Sequence, residues 1–377
     1  MFEILPLMIV TTFLAFLSHE FSDYDSTINE YRKKEKLFYI IMVILLIIFA
    51  GTRLEYNDTW VYRGGYENTR ALTVNNFLSI NWLKIGENPG FVFLELLMKY
   101  LHFSSQTFIM AFSIMSIAIT YKFIWKYSND LFLSSYFAFV FIYVDFLAAI
   151  KQMFAMSLCL VAVDRLIQGK KIRFILWLLI ASTIHPYSLM YLICALFFFK
   201  PWSRKTAYML FGFLIIGFSF RALVSRIVFF TTLIGEDYTV ENLTLQGMNP
   251  LRVAVLCVPI FLSFLLRDRI KYSNDDRENN LFLNTTMLSG ELSFVALFGT
   301  AILMGRVSNY FLPFQVLSIP WLFKYLDKKY KWVVTTAAII LYFVFFTYDC
   351  YRSGNQVFDV EFSRMTLFDY IDEGIFN

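Results

Sequence analysis

Eight polar residues, far apart along the chain, could together bind an anion and move a proton. Each lies near one end of an apolar segment, where an ionised side chain usually faces a cavity or a partner, because burial at the bilayer centre costs about 3 kcal/mol. Arginine forks match phosphate oxygens, and a carboxylate or an imidazole can accept a proton. The pattern predicts an anion site, and a lipid diphosphate is the natural anion at that depth. The eight residues are Arg53, Asp58, Asp145, Lys151, Gln152, His185, Arg252 and Arg306.

The basic members of this set also have structural explanations. Arg252 and Arg306 could extend from helix ends to lipid headgroups. Lys151 could pair with Asp145 across a tight turn. The sequence leaves both explanations open.

The two candidate proton acceptors have structural explanations as well. Asp58 follows Asn57 and could belong to an Asx turn. His185 precedes Pro186 and could simply cap a turn.

Composition places the chain in a bilayer. Of its 377 residues, 58% are hydrophobic and 16% are charged, with a mean hydropathy of +0.58, whereas a soluble domain is about half apolar and a quarter charged. Apolar runs of roughly 17 to 20 residues recur along the whole length, enough to cross a hydrocarbon core of about 30 Å. We therefore expect an all-α, polytopic membrane protein with about twelve transmembrane helices.

Several classes of function do not fit the polar residues. The basic residues behind the net charge of +4 fall in short loops, where they orient helices, so we expect no nucleic-acid partner. Residues 63–66 lack the lysine and hydroxyl residue of a phosphate loop, and the four cysteines lack the spacing of a metal or redox site. We expect neither a metal nor a nucleotide cofactor, although loop carboxylates could still hold a divalent ion.

Loops rich in lysine and arginine mark the cytoplasmic side. If these loops share one face, residues 90–101 do not cross the membrane and form a flat helix on the outer surface, with both chain termini outside. Glu95 and Lys99 lie four residues apart and would pair on the wet face of that helix. The five basic loops are residues 32–36, 165–173, 200–205, 267–277 and 324–331.

The predicted organisation is one transmembrane domain, residues 1–348, followed by an acidic outer tail, residues 349–377. The longest outer loops are about residues 51–89 and 225–250, and long loops usually carry function. The apolar stretch between the basic loops 165–173 and 200–205 begins and ends on the cytoplasmic side. It must therefore cross the membrane outward and back, with a turn at His185 and Pro186.

Four short motifs occur between Gly51 and Pro320 in a fixed order. They are Gly51-Thr52-Arg53 with Asp58 and Tyr62, Glu87-Asn88-Pro89-Gly90-Phe91, Lys151-Gln152-Met153-Phe154-Ala155 with a stretch that ends at His185, and Arg306-Val307-Ser308-Asn309-Tyr310-Phe311. Together they resemble the EpsG-type, Wzy-like polysaccharide polymerases of bacteria. One position departs from that family, since the residue before Gln152 is commonly arginine there and is Lys151 here, which keeps the charge and loses the fork.

The resemblance implies a membrane glycosyltransferase of exopolysaccharide, capsule or O-antigen biosynthesis. It would join undecaprenyl-diphosphate-linked oligosaccharide repeat units, which serve as donor and acceptor, on the outer face of the bacterial cytoplasmic membrane. Neither metal nor nucleotide is expected, because the diphosphate leaving group already activates the donor. Membrane lipids, a flippase and a chain-length regulator are the other expected partners.

The resemblance also suggests residue roles. Three arginines, assisted by one lysine, would stabilise the departing diphosphate. Asp58 or His185 would take the proton of the acceptor hydroxyl, and the sequence does not decide between them. The cationic residues are Arg53, Arg252, Arg306 and Lys151, and the other predicted substrate contacts are Tyr62, Glu87, Gln152 and Tyr310.

Two other functions use the same lipid-linked substrate. A flippase would need cationic residues along a path through the membrane and often shows internal repeats, neither of which is evident here. A ligase or single-sugar transferase would use the same donor with another acceptor. Products separate the three, since only a polymerase makes a ladder of repeats.

Overall fold

The computed structural model describes residues 4–25, 30–233, 239–241, 247–272, 277–299, 301–352, 362–372 and 374–375. This part of the chain is mostly helical, as the sequence predicts. The helices of the first half are α1 (Ile4–Glu20), α2 (Leu37–Gly51), α3 (Thr59–Asn68), α4 (Val74–Leu78), α5 (Pro89–Tyr100), α6 (Ser105–Tyr127), α7 (Leu131–Ala138), α8 (Val144–Ala148), α9 (Ile150–Ile167) and α10 (Lys171–Ile184).

The second half continues with further helices and with two kinds of irregular helix. The α-helices are α11 (Arg204–Phe218), α12 (Phe220–Leu233), α13 (Pro250–Leu265), α14 (Arg267–Tyr272), α15 (Arg277–Val295), α16 (Arg306–Asn309), α17 (Leu312–Phe323), α18 (Lys328–Arg352) and α19 (Leu367–Asp372). The 3₁₀ helices are Ile85–Glu87 and Pro186–Leu196, and the π-helices are Phe139–Tyr143 and Ala301–Gly305. Four short strands, β1 (Asp23–Asp25), β2 (Glu30–Lys33), β3 (Arg53–Glu55) and β4 (Ser363–Arg364), form two antiparallel pairs.

The helices of the described residues fit a membrane protein. Three segments, Ser105–Tyr127, Leu131–Ala148 and Lys328–Cys350, are long and apolar enough to cross a bilayer, and α11 with α12 would be a fourth if this pair, bent by 96°, forms one span. Five shorter apolar helices accompany them. The number of twelve crossings stays a prediction.

Small residues let the central helices approach closely. α9 packs against α6 and α10, and its Ala155, Ser157 and Ala162 are fully buried. Small side chains at helix interfaces bring backbones together. This close packing stabilises the association of membrane helices, because the hydrophobic effect does not drive it in lipid. α9 therefore carries its first-turn residues in a fixed position.

One end of the bundle gathers the basic loops. Residues in or next to the five loops contact one another or their neighbours at this end, in agreement with the prediction that the loops share one face. The connecting contacts are Lys34 with the carbonyls of Trp125 and Ser128, Lys126 with Asp164, Tyr127 with Phe282, Trp202 with Phe264, and Arg269 with Asp327.

The C-terminal segment packs against the opposite end. β4 pairs with β3, and the Met365 N–H donates to the Thr52 carbonyl at 2.9 Å. The Tyr370 hydroxyl lies 3.1 Å from the Thr107 hydroxyl at the start of α6. The predicted tail therefore returns to the end of the bundle that carries residues 51–55.

The predicted loop 225–250 begins later than expected. α12 continues to Leu233, because the apolar residues 228–230 extend the helical segment beyond the polar residues 225 and 226. Most of the remaining predicted loop lies outside the described residues. The predicted loop 51–89 contains β3, α3, α4 and a 3₁₀ helix.

Candidate functional site

Three basic side chains meet at the end of the bundle opposite the basic loops. Lys151 lies in the first turn of α9, His185 lies between α10 and the following 3₁₀ helix, and Arg306 begins α16. Lys151 and Arg306 both act electrostatically on His185. The Gln152 side-chain amide donates to the Arg306 carbonyl at 3.1 Å and joins α9 to α16. We call Lys151, His185 and Arg306 the cationic cluster.

The His185 ring is held by tyrosines. Its Nδ1 lies 3.0 Å from the Tyr310 hydroxyl, and the Tyr187 ring packs edge-on at 4.8 Å between centroids. Tyr191 donates its hydroxyl to the Tyr310 carbonyl and fixes the next turn in place. Burial, and then the nearby cations, lower the pKa of His185 from 6.5 to about 3, so the imidazole is neutral at physiological pH.

Lys151 has aromatic neighbours. Its ammonium lies 5.8 Å from the Tyr62 ring centroid and 5.4 Å from that of Phe91, a cation–π arrangement. Among the described residues it forms no ion pair. The suggested pair with Asp145 is not formed, because Asp145 accepts a hydrogen bond from Asn309 at 3.2 Å.

Tyr62 brings Asp58 to the edge of the cluster. The Tyr62 hydroxyl lies against the Lys151 backbone, and burial followed by the nearby Asp58 carboxylate raises the pKa of Tyr62 to about 12. Asp58 itself is exposed at the start of α3, and its side chain does not cap that helix. Asn57 adopts a φ of 45°, as a turn residue does. Asp58 thus occupies the solvent side of the site.

Arg53 is fully buried beneath the cluster and bonds to its own loop. It donates to the Thr59 hydroxyl at 3.1 Å, the Ser113 hydroxyl at 3.2 Å and the Ala50 carbonyl. Burial lowers the pKa of Arg53 to about 10, which leaves it charged near neutral pH. The structure places it as a brace between α2, α3 and α6, with no exposed surface for a ligand.

Arg252 belongs to a neighbouring group. It forms an ion pair with Asp349 at 3.1 Å, and both residues line a cavity of about 190 Å³ together with Asp145. The Asp349 carboxylate offsets the charge of Arg252. The structure therefore does not bring Arg252 into the cationic cluster.

The motif around Glu87 packs on the turn that holds His185. A Cβ atom at Gly90 would lie 2.2 Å from the Thr183 hydroxyl, so only glycine allows this close approach. Glu87 is exposed and pairs with Lys84 at 2.5 Å. The motif shapes the wall of the site, while the Glu87 carboxylate faces solvent.

Glu95 lies near the site, although the sequence predicts that it pairs on the wet face of a flat helix. The predicted Glu95–Lys99 pair is wrong, because the Lys99 ammonium donates to the Glu67 carbonyl at 3.4 Å and lies over the Tyr66 ring. Glu95 is half-buried one turn after Phe91, within electrostatic reach of Lys151. Burial raises the pKa of Glu95 from 4.5 to about 7, and Lys151 offsets part of that rise.

This shift predicts how stability depends on pH. A raised carboxyl pKa means that the folded state binds the proton more tightly, so stability is lost as pH rises from about 4.5 to 7. Glu95→Gln should remove this loss and stabilise the protein at pH 8 by on the order of 1–2 kcal/mol, since water screens part of the cost. Melting curves in detergent at pH 5 and 8 measure it, with exposed Glu55→Gln as control. An equal shift at both pH values would contradict the assignment.

Comparison with known protein families gives a match over most of the chain. The model of the EpsG family matches residues 36–362, which contain the whole cationic cluster. No curated protein and no solved structure matches the chain.

Proposed function

The chain belongs to the EpsG family of Wzy-like polymerases of exopolysaccharide biosynthesis, and we propose that it joins undecaprenyl-diphosphate-linked oligosaccharide repeat units at the cationic cluster. The observation that carries this proposal is the convergence of Lys151 and Arg306 on His185, with no described carboxylate paired to either cation. Two cations without an ion-pair partner among the described residues, beside a neutral imidazole, suit an anionic leaving group and a proton acceptor.

The proposed reaction exchanges two bonds at the donor sugar. The bond between its anomeric carbon and the diphosphate oxygen breaks, and the acceptor hydroxyl oxygen bonds to that carbon. The hydroxyl proton passes to His185, and the diphosphate leaves with the bonding electrons on its lipid. Arg306, assisted by Lys151, stabilises the negative charge that grows on the leaving oxygen.

Substrate binding would tune His185. Burial, and then the two cations, hold its pKa at about 3 in the free protein, which is low for a base. A bound diphosphate brings negative charge to the same cations and so raises that pKa above its value in the free protein. The base thus becomes stronger when the donor is present.

The other predicted residues take roles that follow from their positions. Gln152 and Tyr310 orient Arg306 and His185, and Tyr62 supports Lys151. Asp58 and Glu87 are exposed and would face the saccharide part of the substrate. Arg53 and Arg252 act indirectly, through the loop and the Asp349 pair. The basic loops at the opposite end orient the cluster toward the outside of the cytoplasmic membrane in this proposal.

A reconstitution assay separates the candidate activities. Purified protein in liposomes, supplied with lipid-diphosphate-linked repeat units, should give a ladder of polymer lengths on a gel. A single added unit would instead indicate a ligase or single-sugar transferase. Unchanged length with altered sidedness would identify a flippase and overturn the proposal.

A further inference from the structure

An apolar groove runs between α2 and α6 from the basic-loop end toward the middle of the bundle. It has a volume of about 490 Å³. Ile40, Ile44 and Ile47 recur along one side of α2 at helical spacing, and Ala118 of α6 lies opposite them. The small Ala118 side chain leaves the space that a larger residue would fill. The groove therefore has the shape of a slot for a hydrocarbon chain.

Two lysines stand at the mouth of this groove. Lys36 lies just before α2, and Lys122 lies one turn from Ala118 on α6. Both side chains are exposed, and among the described residues neither forms an ion pair. The Lys36 ammonium lies 5.8 Å from the Trp125 ring centroid, where an aromatic residue marks a membrane interface.

The charge around the mouth is positive. Lys33, Lys34 and Lys36 line an adjoining cavity of about 800 Å³. Two carboxylates, those of Asp23 and Glu35, also line it and are outnumbered by its five basic residues. The Glu35 carboxylate accepts hydrogen bonds from the N–H groups of residues 37 and 38 at the start of α2. Arg32 and Lys126, also in this cavity, pair with Asp25 and Asp164. Lys36 and Lys122 are the basic residues that line the groove itself.

We propose that this groove binds an anionic diacyl phospholipid of the leaflet on the basic-loop side. The phosphate lies between the Lys36 and Lys122 ammonium groups, and one acyl chain follows the isoleucine stripe of α2. Basic pockets between membrane helices on the cytoplasmic side bind anionic headgroups in this manner. The site is far from the cationic cluster and does not depend on the polymerase proposal.

Native mass spectrometry of the purified full chain tests the site directly. The protein is titrated with phosphatidylglycerol, phosphatidylcholine or undecaprenyl phosphate, and the retained lipid is counted. We expect phosphatidylglycerol to be retained best. The double variant Lys36→Gln/Lys122→Gln should lower its retention about thirtyfold, because each lysine near an anionic headgroup contributes about 1 kcal/mol.

Two further variants keep the test decisive. Lys271→Gln/Lys329→Gln makes the same charge change on exposed lysines of the same end and should retain the lipid as wild type does. Ala118→Trp fills the groove, leaves both lysines in place and should lose the lipid. Equal retention of phosphatidylglycerol and phosphatidylcholine, an equal loss in the control variant, or stronger retention of undecaprenyl phosphate would each overturn the proposal.

Discussion

Arg306→Ala is expected to lower ladder formation by at least about 100-fold in the reconstituted system, the usual cost of removing one donor from a site of developing negative charge. Arg306 is exposed at the start of α16 and has no ion-pair partner among the described residues, so its charge is available to a diphosphate. Arg306→Lys should recover part of the activity, because it restores the charge without the bidentate fork. Initial rates from gel densitometry measure both variants.

Folding does not account for this expected loss. Gln152 bonds to the backbone carbonyl of Arg306, and alanine retains that carbonyl. The melting temperature of Arg306→Ala should therefore stay close to that of the wild type. Arg70→Ala, at an exposed arginine of the predicted loop 51–89, is the matched control and should polymerise normally. A full ladder from Arg306→Ala would remove the leaving-group role from this residue.

Sequence reasoning places residues at an end of the bundle more reliably than around its circumference. Loop charge and the alternation of crossings assign Lys151, His185 and Arg306 to one end, and the structure brings all three together there. The same reasoning assigns Arg53 and Arg252 to that end. It cannot tell that Arg53 points into the protein, or that Asp349, 97 positions further along the chain, pairs with Arg252.

Local periodicity was misleading at α5 for a related reason. Helical spacing brings Glu95 and Lys99 to one face, and an isolated helix would pair them. In the fold, α3 supplies the Tyr66 ring and the Glu67 carbonyl to Lys99, while α9 supplies Lys151 near Glu95. Both partners are distant in sequence. The sequence shows that Glu95 is a carboxylate one turn after the aromatic Phe91, but this position does not identify its partner.

Hydropathy is also a poor guide to α15, which is almost completely buried. Its Asn284 donates to the Phe197 and Phe199 carbonyls, and its Ser289 bonds to Ser308. These polar residues lower the average hydropathy of the helix, although the Asn284 amide N–H groups and the Ser289 hydroxyl have partners on neighbouring segments. α15 is consequently absent from the segments that qualify as spans by composition. The number of transmembrane helices therefore cannot be counted from hydropathy alone and also requires the contacts between helices.

His185→Ala is expected to reduce polymerisation by about 100-fold or more, the usual contribution of a positioned base. Asp58→Asn should cost less than about tenfold, because Asp58 lies on the solvent side of Tyr62 while His185 sits beside both cations. The comparison decides between the two candidate bases. A larger loss in Asp58→Asn than in His185→Ala would assign the proton to the carboxylate.

The pH dependence of the two rate constants distinguishes a base from a positioning residue. A base works only when neutral, so the rate must fall as pH drops through its pKa. The free protein holds the pKa of His185 at about 3, which sets the acid limb of kcat/KM. A bound diphosphate raises that pKa, so the acid limb of kcat should lie at higher pH.

His185→Gln should abolish this difference between the acid limbs of kcat/KM and kcat. Tyr310→Phe, which removes the hydroxyl beside Nδ1, should lower the rate but keep a separation between the two limbs. If the two limbs coincide in the wild type, the diphosphate does not share the cations that lie beside His185.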